Sequence, residues 1–328
     1  TTETAAADNV AQKTIINIIS TKSAFPFVQR WAAQYDNEQS AATVQVSYLE
    51  DADLRENNNL AIVGGISARN NNSYIPVSAQ AVAIVYNLPS FPDIPSGLKL
   101  DSNLLSRIFN GSIAEWDDAA IKKLNPDLNL PNNRIVVFHE DTDSRSSTTL
   151  LKRYLSFDAI RWSNGSIVAS GPDELAAMVR KTPYSIGYVD FSYAIQTKMT
   201  FAAIANPHGE YITPSIDSIG QAANSSMQIQ NASSINQTAA IPPMINSSRL
   251  GNSSYPIVGL YYAALADNAG AGSRNATLDF VKWIINDNGG QQTLSEVQYP
   301  PIYRDNEPLA AYAGTIIMRN NTIGATKD

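Results

Sequence analysis

Residues 139–155, HEDTDSRSSTTLLKRYL, gather Ser146, Ser147, Thr148 and Thr149 at the start of an amphipathic helix, with Arg145 directly before them. That arrangement suits oxyanion binding. First-turn N–H groups have no partner within a helix, the helix end carries partial positive charge, and hydroxyls and a guanidinium add directed donors. The opposing feature is the run of Glu140, Asp141 and Asp143 just ahead of them. One carboxylate facing a bound anion at about 5 Å, with an effective dielectric near 20, opposes it by roughly 3 kcal/mol, on the order of a hundredfold in affinity. We read Glu140 and Asp141, with Glu50, Asp51 and Asp53, as an acidic, solvated loop surface, which leaves the seat weakened but not inverted.

Catalytic and metal chemistry find little support. His139 and His208 are the two histidines, and neither a Gly-x-Ser-x-Gly elbow nor a His-Glu-x-x-His pair occurs. His139 beside Glu140 and Asp141 suggests an acid/base or metal cluster, but a satisfied polar histidine is the commoner outcome. DTDSRS begins like a calcium loop and lacks the oxygen ligand at its fifth position and the glycine at its sixth. GAGSRN (270–275) lacks the third glycine of a dinucleotide fingerprint and reads as a loop before a helix. With no cysteine, disulfides and thiolate sites are excluded. No enzyme activity, metal or cofactor is expected.

A net charge of −7 argues against nucleic acid and anionic membranes as partners. Apolar runs such as TIINII and AVAIVY are strand-sized, far short of the roughly 20 residues of a membrane span. Ten Asn-x-Ser/Thr sequons occur, at Asn71, Asn110, Asn164, Asn224, Asn231, Asn236, Asn246, Asn252, Asn275 and Asn320. Chance gives about half as many. The excess points to an exported glycoprotein, extracellular or at the cell surface, with any signal peptide already removed.

The elements that must position the hydroxyl-rich turn follow from periodicity. TIINIIS, TVQVSYL, LAIVGGIS, AVAIVYNLP, NRIVVFH and YPIVGLYYAAL read as strands, and YSIGYVDFSYA as a strand and turn. AFPFVQRWAAQY reads as a helix, with Pro26 in its first turn and Phe27, Trp31 and Tyr35 on one face. DSNLLSRIFNGSIAEWDDAAIKKLNP predicts two short helices broken at Asn110-Gly111, and GPDELAAMVRKTP a capped one. Strands alternating with helices imply an α/β fold with a substantially parallel sheet. Residues 1–13 read as a flexible leader, 221–254 as a Ser/Asn-rich, partly helical, glycosylated excursion, and AGTIIM in the tail as strand-like.

RIFNGSIAEWDDAAIKKLNPDLNLPNNRIVVFHEDTDSRSSTTLLKRYL, YSIGYVDFSYA, YPIVGLYYAAL with LDFVKWII, and AFPFVQRWAAQY, in this chain order, resemble the phosphate-binding proteins of the Pst type. The resemblance covers most of residues 14–305. It implies a two-lobed, type II periplasmic-binding-protein-like α/β fold with a central cleft and hinge strands. Lobe 1 would comprise 14–84 plus 257–328, and lobe 2 residues 85–256. It further implies a non-catalytic solute-binding protein that captures phosphate or a related oxyanion in the cleft and partners a membrane transporter.

Carried over by position, the anion-site candidates are Ser23, Phe25, Ser67, Asp143, Arg145, Ser146, Ser147 and Thr148. The family's first-helix Thr becomes Ala24, with Ser23 and the Phe25 N–H as stand-ins. Its Gly/Ser-rich turn becomes Glu50, Asp51 and Asp53, its Asp becomes Ser67, and its Arg falls on Asp141. A small gap would let Arg145 reach the cleft instead. These departures frame an alternative, a scaffold of the same fold that has lost its ligand and self-assembles through terminal strands.

Overall fold

The computed structural model describes residues 13–39, 41–49, 58–65, 73–89, 97–142, 145–156, 160–229, 242–265 and 271–325. Strand β1 (Thr14–Thr21), helix α1 (Phe25–Glu38), β2 (Ala42–Leu49) and β3 (Leu60–Gly64) open the chain. Phe27, Trp31 and Tyr35 are buried on one face of α1 with Val28 and Ala32, so the helical stripe in the sequence is the packed one. The Trp31 indole donates to Gly290 O at 2.8 Å, tying α1 to the far end of the chain.

Strand β4 (Ser73–Asn87) is long and almost wholly buried. Next come β5 (Lys99–Leu100), α2 (Ser102–Phe109) and α3 (Ala119–Leu124). Asp101 caps α2 by accepting from Leu104 N, and Asp118 caps α3 by accepting from Ala120 N. Each such cap contributes about 1 kcal/mol. Strand β6 (Val136–Glu140) leads into α4 (Ser146–Leu155), followed by β7 (Ile167–Ala169), α5 (Pro172–Lys181) and β8 (Ser185–Asp190). Helix α6 (Phe191–Gln196), β9 (Ala203–Ala205), β10 (Tyr211–Ile212), α7 (Ile216–Ser226), β11 (Met227–Gln228) and β12 (Met244–Ile245) complete the middle of the chain. Strand β13 (Val258–Leu265), α8 (Ala271–Ile284), α9 (Gly290–Leu294) and α10 (Glu307–Ala325) close it.

Eight strands form one sheet in the order β2-β1-β3-β13-β4-β8-β6-β7. Pairs joined through helices are parallel: β1 with β2 and β3, and β6 with β8 and β7. The central pairs, β13 with β3 and β4, and β4 with β8, are antiparallel. The sheet is thus mixed, where alternation alone suggested mostly parallel. Strand β4 joins the two halves, because it pairs with β13 over Ser73–Ala81 and with β8 over Val82–Asn87.

Three expectations are corrected. The turn after YVD is a helix, α6, whose N-cap Asp190 accepts from Ser192 N. The loop expected at GAGSRN is already helical from Ala271. The tail is also a helix: Leu309, Tyr312, Ala313, Ile316, Ile317 and Asn320 are buried, at spacings of three and four. That stripe competes with the strand-like look of AGTIIM and wins, so the described tail offers no terminal strand for pairing with a neighbour. It also places the Asn320 sequon inside, 1% exposed, with its amide donating to Ile316 O at 2.9 Å. The excursion is partly helical through α7, and Tyr262 donates to Pro243 O at 2.6 Å, which pins its return to β13. Asn110, Asn164, Asn224, Asn252 and Asn275 are exposed and Asn246 half-buried, while Asn71, Asn231 and Asn236 lie outside the described residues.

Candidate functional site

The C-terminal ends of β1, β3, β6 and β8 converge on one cavity of about 640 Å³. In open α/β sheets this is where ligands bind, because strand ends deliver loops and helix N-termini to a common point. From the first half-sheet come Thr21, Lys22 and Ser23 after β1, Gly64 and Gly65 at the end of β3, and Gln80 of β4. From the second half-sheet come Glu140, Arg145, Ser146 and Ser147. Gly65 holds φ +88°, a left-handed turn that suits glycine. A Cβ at Gly64 would lie 2.8 Å from both Gln80 Oε1 and Ser146 Oγ, so these two side-chain ends would have to shift to admit it.

The hydroxyl-rich turn is the start of α4, with Arg145 as its N-cap. Ser146 Oγ accepts from Gln80 Nε2 at 2.9 Å, a bond between the two half-sheets' elements. Ser147 and Thr148 aim elsewhere. Both hydroxyls donate to Glu140 Oε2, at 2.6 and 2.7 Å, and Thr148 Oγ1 also meets the Tyr188 hydroxyl at 2.8 Å. Glu140 is 3% exposed, so the reading of this residue as solvated loop surface is wrong. The Ser147 and Thr148 hydroxyls of α4 offset part of the cost of burying it, and the Tyr188 hydroxyl braces the site by accepting from the Glu140 backbone N–H and bonding Thr148 Oγ1. Burial pushes the Glu140 carboxyl above its ordinary range, against the lowering effect of the two hydroxyl bonds and the Arg145 charge.

Arg145 points inward rather than to solvent. Its Nη2 donates to Ser170 O at 2.7 Å and to Asp141 Oδ1 at 3.2 Å, while Nε lies 4.0 Å from Glu140 Oε1. Asp141 keeps 44% of its side chain exposed, as expected of a loop acid. A second buried carboxyl, Asp190, lines the cavity and accepts from the Tyr261 hydroxyl at 2.6 Å and from Ser192 Oγ at 2.6 Å. Burial pushes its carboxyl up, against those bonds and one from Gln80. Lys22, Arg145 and Arg153 outnumber the two carboxyls, Glu140 and Asp190, among the lining residues. The cavity therefore favours an anion on balance.

Of the residues predicted from sequence, Ser23, Arg145, Ser146 and Ser147 line the cavity. Thr148 is wholly buried behind Glu140. Phe25 is not brought there: its N–H bonds Lys22 O at 3.3 Å, and its ring packs on Tyr48 with centroids 4.6 Å apart. Ser67 and Asp143 lie outside the described residues, as do Glu50, Asp51 and Asp53. Sequence reasoning missed Lys22, Gln80 and Asp190. The available signal for Asp190 was its place at the C-terminal end of the strand-forming run SIGYVD, which is buried throughout. His139 forms no acid/base pair with its neighbours. It is buried, its ring stacks on Trp162 at 4.3 Å, and Nδ1 contacts Glu140 O. Among the described residues no His/Cys/Asp/Glu cluster is arranged to hold a metal, and no helix is long and apolar enough to cross a membrane.

Comparison with known proteins agrees with this geometry. The model of a PBP superfamily domain matches residues 2–288. A phosphate-binding protein PstS of Xylella fastidiosa is 31% identical over 239 residues, which is 69% of this chain and 62% of that protein. The chain thus spans somewhat less than two thirds of that relative. The PstS of Haemophilus influenzae is 31% identical over 244 residues, covering 70% of this chain and 69% of its own length. Among solved structures, the high-affinity periplasmic phosphate-binding protein PfluDING, solved with phosphate, aligns at TM-score 0.66 and 16% identity over 92% of each chain. An ABC-type phosphate transport receptor from Vibrio cholerae aligns at TM-score 0.54 and 13% identity over 87% of this chain and 99% of its own. These likenesses establish the two-lobed fold, and the chain belongs to the PBP superfamily, among the relatives of the PstS phosphate-binding proteins.

Proposed function

We propose that this chain is a non-catalytic, exported solute-binding protein that captures phosphate or a related oxyanion in the cleft between its lobes. The observation that carries this reading is the convergence of the α4 start, Lys22 and the Gly64-Gly65 turn on one cavity at the strand ends of both half-sheets. Backbone donors of a helix N-terminus and a small excess of cations are what such a ligand needs. The relatives named PstS support the same ligand class. We place lobe 1 at 14–84 plus 257–328 and lobe 2 at 85–256, supported by the change of partner along β4 between Ala81 and Val82 and by the pairing of Val258 with Ala81. A membrane transporter as downstream partner goes with this reading.

Calorimetry at low salt with phosphate, arsenate and sulfate tests it. Micromolar or tighter binding of phosphate is the expected result, and no heat with any of the three overturns it. A second reading, an extracellular structural or self-assembling glycoprotein of the same fold, draws on the Glu140 carboxylate at the anion seat and on the exposed Ile167 and Val168 of edge strand β7. Polymers in size-exclusion chromatography of native material, together with absent anion binding, would favour that second reading.

A further inference from the structure

Glu140 is the feature of the cavity that a simple anion receptor does not need. It is buried at the end of β6, directly beneath the first turn of α4, and it takes two of that turn's hydroxyls on one oxygen. Thr148, fully buried and also bonded to Tyr188, holds the carboxylate in place from behind. Ser147 is different, because it lines the cavity and yet spends its proton on Glu140 at 2.6 Å. A carboxylate is itself a planar oxyanion, and here it holds a first-turn hydroxyl of α4 that lines the cavity.

We propose that Glu140 is an internal competitor for the anion seat: an incoming oxyanion gains the Ser147 hydroxyl and the α4 first turn when Glu140 loses its charge or turns aside. This deepens the oxyanion-receptor reading and rests on it. The charged and titratable groups facing Glu140 are Arg145 of α4, Asp141 of the following loop, the Tyr188 hydroxyl of β8, and His139, whose ring contacts the Glu140 backbone carbonyl. Lys22 and Asp190 share the cavity. Arg145 is the cation that pairs with the carboxylate, and it also bonds Asp141 Oδ1 and the Ser170 carbonyl. Neutralising Glu140 therefore removes a like charge from beside the ligand and frees a donor at once. The proton comes from bulk water and is returned on release, so anion affinity rises as pH falls through the Glu140 titration.

The test compares wild type with Glu140→Gln and Glu140→Ala by calorimetry between pH 5 and 8. Sulfate is the main probe because its charge is constant over that range, and phosphate is run beside it. The expected result is a gain of about tenfold to a hundredfold for the variants at neutral pH. Wild-type sulfate affinity should also climb toward pH 5, and Glu140→Gln should show a flatter profile, which assigns the titration to Glu140 rather than Asp190. Equal or weaker binding by both variants, with wild type binding normally, overturns the competitor role and leaves the receptor reading intact. Absence of binding by wild type and variants at every pH overturns both. Should the variants fail to fold, a wild-type sulfate affinity that is flat or rises with pH still overturns the proposal.

Discussion

Lys22 Nζ and Asp173 Oδ2 meet at 2.6 Å, joining the loop after β1 to the first turn of α5. The two residues belong to opposite half-sheets, so this ion pair, with the Gln80–Ser146 hydrogen bond, spans the cleft. Asp173 does not line the cavity, while its neighbour Pro172 does. Changing Asp173 thus probes closure without touching the ligand.

Asp173→Asn is expected to weaken phosphate binding by about twofold to fivefold at low ionic strength, the range of a partly exposed ion pair. The effect should disappear near 1 M salt, where screening reaches about 3 Å. Calorimetry at two salt concentrations reads both. A loss that persists in high salt would mean that Asp173 acts by something other than its charge.

Gly64→Ala tests the close approach of β3 to the α4 start. Its Cβ would press on Gln80 Oε1 and Ser146 Oγ, both at 2.8 Å, forcing apart the pair that bridges the half-sheets. Overpacking of this kind costs about 1–3 kcal/mol. We expect a lowered denaturation midpoint and at least a tenfold loss of anion affinity, because Ser146 moves with its helix start. Unchanged affinity would show that Gln80 and Ser146 need not touch for binding.

Asp190 gives a pH prediction of fixed sign. In the unfolded chain its carboxyl ionises near 3.9, whereas burial raises it in the fold. Between those two values the native state binds more protons than the unfolded state, so stability falls as pH rises through that window. Glu140 contributes in the same direction. Asp190→Asn removes the Asp190 share while its oxygen can still accept from Ser192. Urea titrations from pH 4 to 8 should show wild type losing stability relative to Asp190→Asn as pH increases. A gap moving the other way would mean that the Tyr261 and Ser192 bonds outweigh burial.

Local pattern made much of the fold legible. The stripe Phe27, Trp31 and Tyr35 announced α1, and the hydroxyl run before Leu150 announced α4. The direction of Glu140 was not legible, because its setting depends on Tyr188 of β8, 48 residues away in sequence, as well as on the following helix α4. Next to Asp141 it looks like one more loop acid. Lys22 and Gln80 were invisible for a related reason: each gains meaning only when β1 and β4 bring it opposite a second half-sheet. The tail failed differently. Leu309, Tyr312, Ile316 and Asn320 carry a helical stripe, but the short apolar run Ile316-Ile317-Met318 drew the reading toward a strand.

That stripe decides the last prediction. A sequon is glycosylated only where its amide can reach the transferring enzyme, which calls for an exposed position. Asn110, Asn164, Asn224, Asn252 and Asn275 meet that condition, whereas Asn320 is 1% exposed and bonded to Ile316 O. Glycan attachment at Asn320 would require the last turns of α10 to leave Tyr312 and Ile316 behind, giving up two wholly buried side chains. Glycopeptide mass spectrometry of protein from its native source should therefore find occupancy among the exposed sites and none at Asn320. An occupied Asn320 would mean that the transfer precedes docking of α10, and the folded protein would then carry that helix displaced.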